Sequence, residues 1–284
     1  MPRLRHVGKG VARLARALSR RDALPVAEPL ILFEDVHKAF GPKRIYTGLN
    51  LSVFEGETLV ILGGSGVGKS VMLKMLIGLL PVDSGRILFR GEDVSKMREE
   101  QLRRVRRQIA MIFQASALFD SISVGENVAY GLREHHYATM TPSEIDKRVA
   151  WSLELVGLPG TEGMRPGDLS GGMKRRVGLA RAIALQPEVL LWDEPTTGLD
   201  PINTARINHL MKGMQRALKA TSMVVTHDMK SAFEVADRIA MVHRGRIILE
   251  CPKAEVRAVT DPRVKDFIEG IAPPDETLDS LLSD

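Results

Sequence analysis

The stretch TLVILGGSGVGKS, residues Thr58 to Ser70, decides the fold of this 284-residue chain. Its first five residues are the apolar run of a buried strand, and its last eight, Gly63 to Ser70, match the pattern G-x-x-x-x-G-K-[ST]. A helical stretch that ends at Pro81 follows. A strand, a glycine-rich loop and a helix in this order predict a P-loop, in which backbone N–H groups and a helix N-terminus surround phosphate oxygens.

The individual residues of this loop have distinct expected tasks. We expect Lys69 to contact the β and γ phosphates of a nucleoside triphosphate and Ser70 to ligate Mg²⁺. A glycine-rich turn that matches the pattern by chance is the alternative, and the flanking strand and helix disfavour it. The residues expected to surround the phosphates with Lys69 and Ser70 are Gly63, Gly64, Ser65, Gly66 and Gly68.

An acidic strand end supplies the second part of the predicted site. Residues 189–194 read VLLWDE, an apolar run followed by two adjacent carboxylates. We expect Asp193 to hold Mg²⁺ and Glu194 to polarise the attacking water as general base. Because neighbouring strand residues point to opposite faces, only one of the two carboxylates is expected to face the metal squarely. Two solvated acids at a strand end are the alternative.

Charge and composition narrow the class of protein. The formal net charge is +5, and residues 1–28, with seven Arg and Lys against two Asp and Glu, account for all of it. The rest is neutral, so we expect no nucleic-acid partner. The single cysteine, Cys251, cannot form a disulfide within one chain, which agrees with a reducing compartment. No stretch approaches the roughly 20 apolar residues that cross a bilayer.

The remaining segments predict an α/β protein. Short strands are expected at Leu30–Phe33, Arg86–Phe89 and Ser222–Thr226, and a helical pattern runs through His209–Leu218. This alternation predicts a largely parallel sheet that is covered on both faces, with the site at the strand ends. Mixed-charge helical segments between Glu92 and about residue 167 predict a helical insertion. The absence of an internal repeat indicates one nucleotide-binding unit.

The segment Leu169–Met173, LSGGM, resembles the signature of the ABC ATPases, usually written LSGGQ. Ser170, Gly171 and Gly172 are predicted to form a second phosphate cradle at a second helix N-terminus. A plain serine helix cap is the alternative. The resemblance implies a P-loop NTPase fold of the ABC ATPase type: a mostly parallel core, an antiparallel β subdomain and an inserted α-helical subdomain near residues 115–180. It also implies a head-to-tail homodimer with two ATP molecules between the subunits.

Other positions match the family pattern one by one. Gln114 matches the Q-loop glutamine, which implies a place near Mg²⁺, a part in catalysis and contact with a membrane partner. Asp200, in Gly198-Leu199-Asp200, matches the D-loop, which implies a place at the dimer interface and beside the nucleotide. His227 matches the switch histidine beside the γ-phosphate. Phe40 matches the aromatic residue that stacks on adenine, with a core phenylalanine as the alternative.

Finer features resemble the ATPases of Mla or MCE-type phospholipid transport systems. They are Met173 in place of glutamine and the run FQASALFDSISVGENVAYGL, residues 113–132. This resemblance implies a place on the cytoplasmic face of the inner membrane, a permease dimer, a periplasmic MCE protein and a STAS-domain subunit. The ATPase of another importer for a small solute, or a soluble ABC ATPase without a permease, stays as the alternative.

The chain is predicted to have three parts. Residues 1–29 form a basic extension, either an amphipathic helix on anionic lipid or a disordered leader. Residues 30–252 form the nucleotide-binding domain. Residues 253–284 form a tail that we expect to contact the neighbouring subunit. In the domain, Leu118, Phe119 and Asp120 follow Gln114 where the family docks its permease.

Overall fold

The computed structural model describes residues 28–112, 117–136 and 139–271, and of residues 135 and 136 the backbone alone. The predictions for Gln114, for most of the N-terminal extension and for the tail after residue 271 lie outside the described residues. The strands are β1 Ile31–Phe40, β2 Lys43–Val53, β3 Thr58–Leu62, β4 Ser84–Phe89, β5 Glu92–Asp93, β6 Ile109–Ile112, β7 Val189–Asp193, β8 Thr221–Thr226, β9 Arg238–His243 and β10 Arg246–Pro252.

Helices lie between and after these strands. They are α1 Lys69–Leu76, α2 Glu99–Gln108, α3 Val124–His136, α4 Pro142–Leu155, α5 Gly171–Ile183, α6 Pro201–Leu218, α7 Met229–Val235 and α8 Pro262–Glu269. None of the helices in the described part of the chain is both long enough and apolar enough to cross a membrane.

A six-stranded sheet forms the centre of the molecule. Its strand order is β10-β9-β3-β8-β7-β6, and all neighbours are parallel except the edge pair β9 and β10. Strand β3 runs beside β8 with Leu62 opposite Thr226, and β7 runs beside β8 with Asp193 opposite Val225. The three strands therefore end at the same edge, which brings the loops that follow them together.

This sheet is buried on both faces, as the continuous apolar strands predict. In β3, Leu59 and Ile61 belong to one hydrophobic cluster, and Val60 and Leu62 to another. The first cluster contains α1 and the smaller sheet, and the second contains α3 to α6. Complete burial of a large aliphatic side chain contributes about 1.5–3 kcal/mol, so the two-sided packing holds the strand ends rigidly.

A four-stranded antiparallel sheet, in the order β2-β1-β4-β5, covers the first cluster. Strand β1 is longer than the expected Leu30–Phe33 because pairing with both β2 and β4 extends it to Phe40. A register shift follows Phe33, near Asp35, whose φ of 47° is left-handed. Strand β2 was not predicted, although Leu49, Leu51 and Val53 alternate with polar residues and are buried.

Three helices, α3, α4 and α5, pack on one another through the second cluster. Helix α4 begins where the sequence suggests it: Thr141 accepts a hydrogen bond from Glu144 N, and Pro142 occupies the first turn. Helix α5 begins at Gly171, directly after Ser170. These helices are the inserted segment, and α5 leads back into the central sheet through β7.

The class of fold is as predicted, and single boundaries differ. The helical pattern at His209–Leu218 belongs to a helix that begins eight residues earlier, at Pro201, because Asp200 caps it there. Helix α2 begins at Glu99, and the short turn before it is a 3₁₀ helix.

Candidate nucleotide-binding site

The P-loop, residues 63–70, follows β3 and is shaped by its own chain. Gly66 has a φ of 72° and Gly68 a φ of 101°, conformations that L side chains rarely adopt. A Cβ atom at Gly68 would lie 2.3 Å from Ile45 Cγ2, and one at Gly63 would lie 2.8 Å from the Val242 carbonyl oxygen. The loop therefore needs glycine at these positions for reasons internal to the fold.

Strand β2 supports the P-loop from behind. The Tyr46 hydroxyl donates a 2.7 Å hydrogen bond to the Gly68 carbonyl oxygen. Tyr46 is 1% exposed, and burial raises the pKa of its hydroxyl far above the ordinary value, so that it remains a donor. This contact anchors the residue before α1 and was not foreseen, because nothing in the sequence around Tyr46 refers to Gly68.

Lys69 lies inside this loop, 6% exposed. Its Nζ donates to the carbonyl oxygens of Gly63 at 2.8 Å and Gly64 at 2.9 Å, and it is 3.3 Å from Glu194 Oε1. A buried ammonium group held in this way is a fixed positive charge at the mouth of the glycine loop. It can stabilise phosphate oxygens that enter there.

Ser70 and Asp193 meet across the site. Ser70 Oγ donates a 2.6 Å hydrogen bond to Asp193 Oδ1, although the residues are 123 positions apart. A hydroxyl and a carboxylate oxygen side by side are the ligand types that Mg²⁺ prefers. The two oxygen atoms could hold Mg²⁺ if the ion replaced the hydrogen bond between them.

Glu194 turns into the same site by a route that strand alternation did not predict. It lies one residue past the end of β7, with a left-handed φ of 49°, and its backbone N–H donates to the Val225 carbonyl oxygen at 3.0 Å. Strand alternation therefore does not apply to Glu194, which lies past the end of β7. The turn brings both carboxylates to one site, at the expense of about 1–3 kcal/mol of backbone strain.

The Glu194 carboxylate has three neighbours. Oε2 lies 2.9 Å from His227 Nδ1 and accepts a 3.2 Å hydrogen bond from Thr197 Oγ1, while Oε1 faces Lys69. His227 follows β8 directly and is 52% exposed, whereas Glu194 is 20% exposed. A carboxylate that contacts an imidazole and faces solvent on one side has the surroundings of a general base.

Phe40 stands at the end of β1 and is 46% exposed, so it is not a core residue. The Lys38 ammonium lies 5.3 Å from the centre of its ring. Lys38 is itself 7% exposed and paired with Asp83 Oδ1 at 2.7 Å, and Asp83 Oδ2 accepts a hydrogen bond from Ala39 N. The exposed ring is thus a flat surface on a rigid support, which suits stacking with a planar base.

The LSGGM segment lies at the start of α5. Ser170 is the N-cap of this helix, and its Oγ accepts a 3.3 Å hydrogen bond from Met173 N. Gly171 and Gly172 are exposed, and a Cβ added to either would meet no atom within 4 Å. The segment therefore presents free backbone N–H groups on the surface. Among the described residues, no contact at this segment requires glycine.

Asp200 caps the next helix, α6. Its Oδ1 accepts hydrogen bonds from Ile202 N at 2.9 Å and Asn203 N at 3.0 Å. These backbone hydrogen bonds, with one from the Asn203 side chain, lower the pKa of Asp200. Within the subunit Asp200 is a helix cap. A groove of about 1240 Å³ separates the start of α6 from the LSGGM segment.

The residues present fit a nucleoside triphosphate. The backbone loop that excludes side chains at Gly63 and Gly68, the buried Lys69 and the start of α1 form one cradle for phosphate groups. The cradle, Asp193, Glu194 and His227 come together because their strands are neighbours. Gln114 lies outside the described residues.

Comparison with known proteins agrees with this geometry. The family model described as ABC transporter matches residues 46–197, more than half of the chain. The chain therefore belongs to this family and is an ATP-binding, ATP-hydrolysing subunit of the ABC type. The resemblance read from the motifs is confirmed, and so is the α/β fold of the ABC ATPases.

Particular relatives are also similar. The chain is 40% identical over 231 residues to "Intermembrane phospholipid transport system ATP-binding protein MlaF" of Haemophilus influenzae, covering 81% of this chain and 86% of the relative. It is 38% identical to the Escherichia coli K12 protein of the same name, covering 86% and 90%. It is also 40% identical to "Probable ribonucleotide transport ATP-binding protein mkl" of Mycobacterium leprae, covering 82% and 67%.

Solved structures give the same fold. The chain superimposes with a TM-score of 0.73 and 30% identity on cbiO1 from Clostridium perfringens, a part of the ABC transporter complex cbiONQ, covering 85% of this chain and 99% of the other. An ATP-binding cassette in a dimeric post-hydrolysis state, bound to ADP and Pi, gives a TM-score of 0.70 at 30% identity. It covers 78% and 98%.

Proposed function

We propose that Glu194 is the general base of ATP hydrolysis and that His227 orients it and the attacking water. The observation that carries this assignment is the contact of 2.9 Å between His227 Nδ1 and Glu194 Oε2 at the edge where β7 and β8 end. Lys69 stabilises the negative charge of the phosphate groups, and the Phe40 ring stacks on adenine. We propose, from family resemblance alone, that Gln114 contacts the attacking water and Mg²⁺.

The ion Mg²⁺ would be held by Ser70 and Asp193, whose oxygen atoms already lie together. When bound, Mg²⁺ supplies charge neutralisation between the β and γ phosphates. Ser70 and Asp193 would hold the positive charge of Mg²⁺ at the mouth of the P-loop. Gln114 is proposed as a further ligand.

Glu194→Gln is the direct test of the general base. We expect it to lower steady-state ATP hydrolysis by about 100-fold or more, while the protein still binds ATP and forms an ATP-bound dimer. Glu188→Gln is the matched control, since it makes the same chemical change just before β7, in an exposed ion pair with Arg90. Such pairs contribute about 0–1 kcal/mol. Hydrolysis at the normal rate in Glu194→Gln would remove the assignment.

We propose that the active unit is a head-to-tail homodimer. One subunit contributes the P-loop and Glu194, and the other contributes Ser170, Gly171, Gly172 and its Asp200 loop. The exposed, contact-free glycines of α5 support this arrangement, because a phosphate group of an opposed nucleotide can approach their N–H groups closely. Mixing Glu194→Gln subunits with Ser170→Asp subunits tests it. One composite site then carries both defects and the other neither, so about one intact site per mixed dimer is expected to recover hydrolysis.

The cargo we propose is phospholipid, moved between membranes. The support is the similarity to the MlaF proteins, which covers 86–90% of their length, whereas the mkl relative is covered over 67%. A complex on the cytoplasmic face of the inner membrane with a permease dimer, a periplasmic MCE protein and a STAS-domain subunit is part of this proposal. The mkl name makes ribonucleotide the rival cargo.

Purification of the full chain from its native membrane separates these cargoes. A permease that copurifies with an MCE protein and phospholipid supports lipid transport. A permease with a solute-binding protein supports an importer of small solutes. The absence of any permease would support a soluble ABC ATPase.

The proposed permease surface is an exposed aromatic pair. Phe119 is 43% and Tyr130 46% exposed, and their ring centres are 4.8 Å apart. Asn127, fully buried, accepts a hydrogen bond from Phe119 N and donates to the Phe119 carbonyl oxygen, which holds the loop in place. A rigid apolar pair on the surface suits an amphipathic helix of a partner.

Phe119→Asp tests this surface. We expect it to reduce copurification with the permease about tenfold or more while the isolated subunit binds ATP as before. The substitution Phe40→Asp serves as the matched control, since it changes another exposed phenylalanine at the nucleotide site. It is expected to weaken ATP binding and to leave the permease bound. Unchanged copurification of Phe119→Asp would exclude the surface.

A further inference from the structure

A line of polar side chains runs from the loop after Glu194 to helix α6. Thr196 Oγ1 donates to Asp228 Oδ2 at 3.3 Å, and Ser231 Oγ donates to the same oxygen at 2.6 Å. Asn208 Nδ2 donates to Ser231 Oγ at 3.1 Å. We call these four residues the polar bridge. Thr196, Ser231 and Asn208 are at most 5% exposed.

The polar bridge connects three segments that carry proposed site residues. Thr196 is two residues after Glu194, and Asp228 directly follows His227. Asn208 belongs to α6, the helix that Asp200 caps. The bridge therefore links the loop of the general base, the loop of the histidine and the helix of the dimer interface.

The contact between Glu194 and His227 needs such support. The His227 side chain is half exposed, so packing does not hold its ring, and Glu194 has a strained left-handed backbone. Strained conformations persist only where the surroundings over-determine them. A small rotation of either loop would open the 2.9 Å separation between the two side chains.

Asp228 is well suited to hold the two loops. Its backbone N–H donates to Thr226 Oγ1, and its Oδ1 accepts from Lys230 N and Ser231 N, so its carboxylate is fixed at the start of α7. Burial acts to raise its pKa, but hydrogen bonds from Ser231, Thr196 and Lys230 outweigh burial and lower it. As an ionised carboxylate it only accepts, so the Thr196 hydroxyl must donate to it.

We propose that the polar bridge positions His227 against Glu194, with Asp228 as the positioning residue and Thr196 as its contact on the Glu194 loop. This inference rests on the proposed role of Glu194 and His227 in hydrolysis. The simpler explanation, that the bridge only satisfies buried polar groups, predicts lost stability without a selective loss of turnover.

The first test compares Thr196→Val with Thr196→Ser in the full-length chain. Valine keeps the shape and removes the hydroxyl, whereas serine keeps the hydroxyl. We expect kcat for ATP to fall about tenfold in Thr196→Val with KM within about twofold of wild type, and to stay within about threefold in Thr196→Ser. If Thr196→Val does not fold, as judged by thermal unfolding, Thr196→Ala replaces it. A kcat within twofold of wild type in the hydroxyl-free variant overturns the proposal.

The second test is a double-mutant cycle with His227→Ala. If Thr196 acts through His227, the hydroxyl-free Thr196 variant should lower the residual kcat of His227→Ala by less than about twofold. If the Thr196 substitution lowers kcat by the same factor in wild type and in His227→Ala, the bridge acts on something other than His227. The proposal is then wrong. Failure of the hydrolysis assignment is distinguishable, because it appears as normal turnover in Glu194→Gln.

Discussion

The P-loop and the LSGGM segment are both glycine-rich starts of helices, but they meet very different surroundings. In the P-loop, Gly66 and Gly68 have left-handed φ angles, and side chains at Gly63 or Gly68 would collide with β9 or β2. At Gly171 and Gly172 neither φ is positive and the space is open. The subunit requires the first set of glycines for its own fold.

In the part of the chain that the structure describes, no contact gives Gly171 or Gly172 such a reason. Alanine favours a helix over glycine by about 1 kcal/mol, so glycines on the first turn of α5 weaken the isolated subunit. Open, exposed glycines at a helix start leave room for a group from outside the subunit to approach the backbone N–H groups. The nucleotide held by a second subunit meets that description, which is why the comparison supports the proposed dimer.

The N-cap residues also separate the two proposed phosphate-binding helix starts from other helices. Helix α1 has Gly68 as its N-cap with no side-chain hydrogen bond, and α5 has the neutral hydroxyl of Ser170. Helices α6, α7 and α8 are capped by carboxylates, Asp200, Asp228 and Asp261. A carboxylate would repel an approaching phosphate, so the two proposed phosphate sites are among the helix starts without one.

The largest effect on stability is expected at the P-loop. Gly68→Ala places a Cβ 2.3 Å from Ile45 Cγ2 at a φ of 101°, and should reduce the free energy of unfolding by about 3 kcal/mol and weaken ATP binding. Urea denaturation and nucleotide titration measure both. Gly64→Ala, whose Cβ would be in ordinary contact with Val67 at 3.8 Å, is the control. Equal stability of the two variants would contradict the steric difference between Gly68 and Gly64.

A charge at the second cradle should abolish activity without unfolding the subunit. Ser170→Asp keeps a good helix cap but opposes phosphate, so we expect hydrolysis to fall about 100-fold or more with the free energy of unfolding within about 0.5 kcal/mol of wild type. Ser170→Asn has nearly the same size and capping ability without the charge. Hydrolysis reduced to the same extent by both substitutions would show that shape, and not charge, is decisive.

Gly171→Ala tests whether the space beside Gly171 is needed for a group from another subunit. We expect hydrolysis to fall about tenfold while the free energy of unfolding rises slightly, by up to about 0.5 kcal/mol, because alanine suits a helix better. Gly213→Ala is the matched control, in the middle of α6 with open space around it. It should stabilise without an effect on hydrolysis. Full activity of Gly171→Ala would remove the steric argument for a second subunit.

The smallest effect is a difference in pH dependence. The Arg263 side chain and backbone N–H hydrogen bonds lower the pKa of Asp261 in the folded state. A lowered pKa contributes stability above the unfolded pKa, and this contribution disappears as pH falls through the folded value. The difference in urea midpoint between wild type and Asp261→Asn should therefore shrink from pH 7 toward pH 3. The difference between wild type and Ser170→Asn should not change with pH.

Much of the site could be read from the sequence because its chemistry depends on residue types at short spacings. Lys69 and Ser70 must follow the glycine loop directly, and Asp193 and Glu194 must follow an apolar strand. The position of His227 after a strand was also readable. Strands β2, β9 and β10 were not predicted. Strand β2 does alternate at Leu49, Leu51 and Val53, whereas the short apolar runs of β9 and β10 do not by themselves distinguish a strand from a helix.

By itself, then, the sequence determined the class of fold, the P-loop, the acidic strand end and the second cradle. Only the tertiary structure decided how these parts support one another: Tyr46 behind Gly68, Lys38 and Asp83 beneath Phe40, Thr196 on Asp228, and the turn that brings Glu194 to His227. The physical reason is that motif chemistry is local, whereas hydrogen bonds and burial join residues that the chain holds far apart.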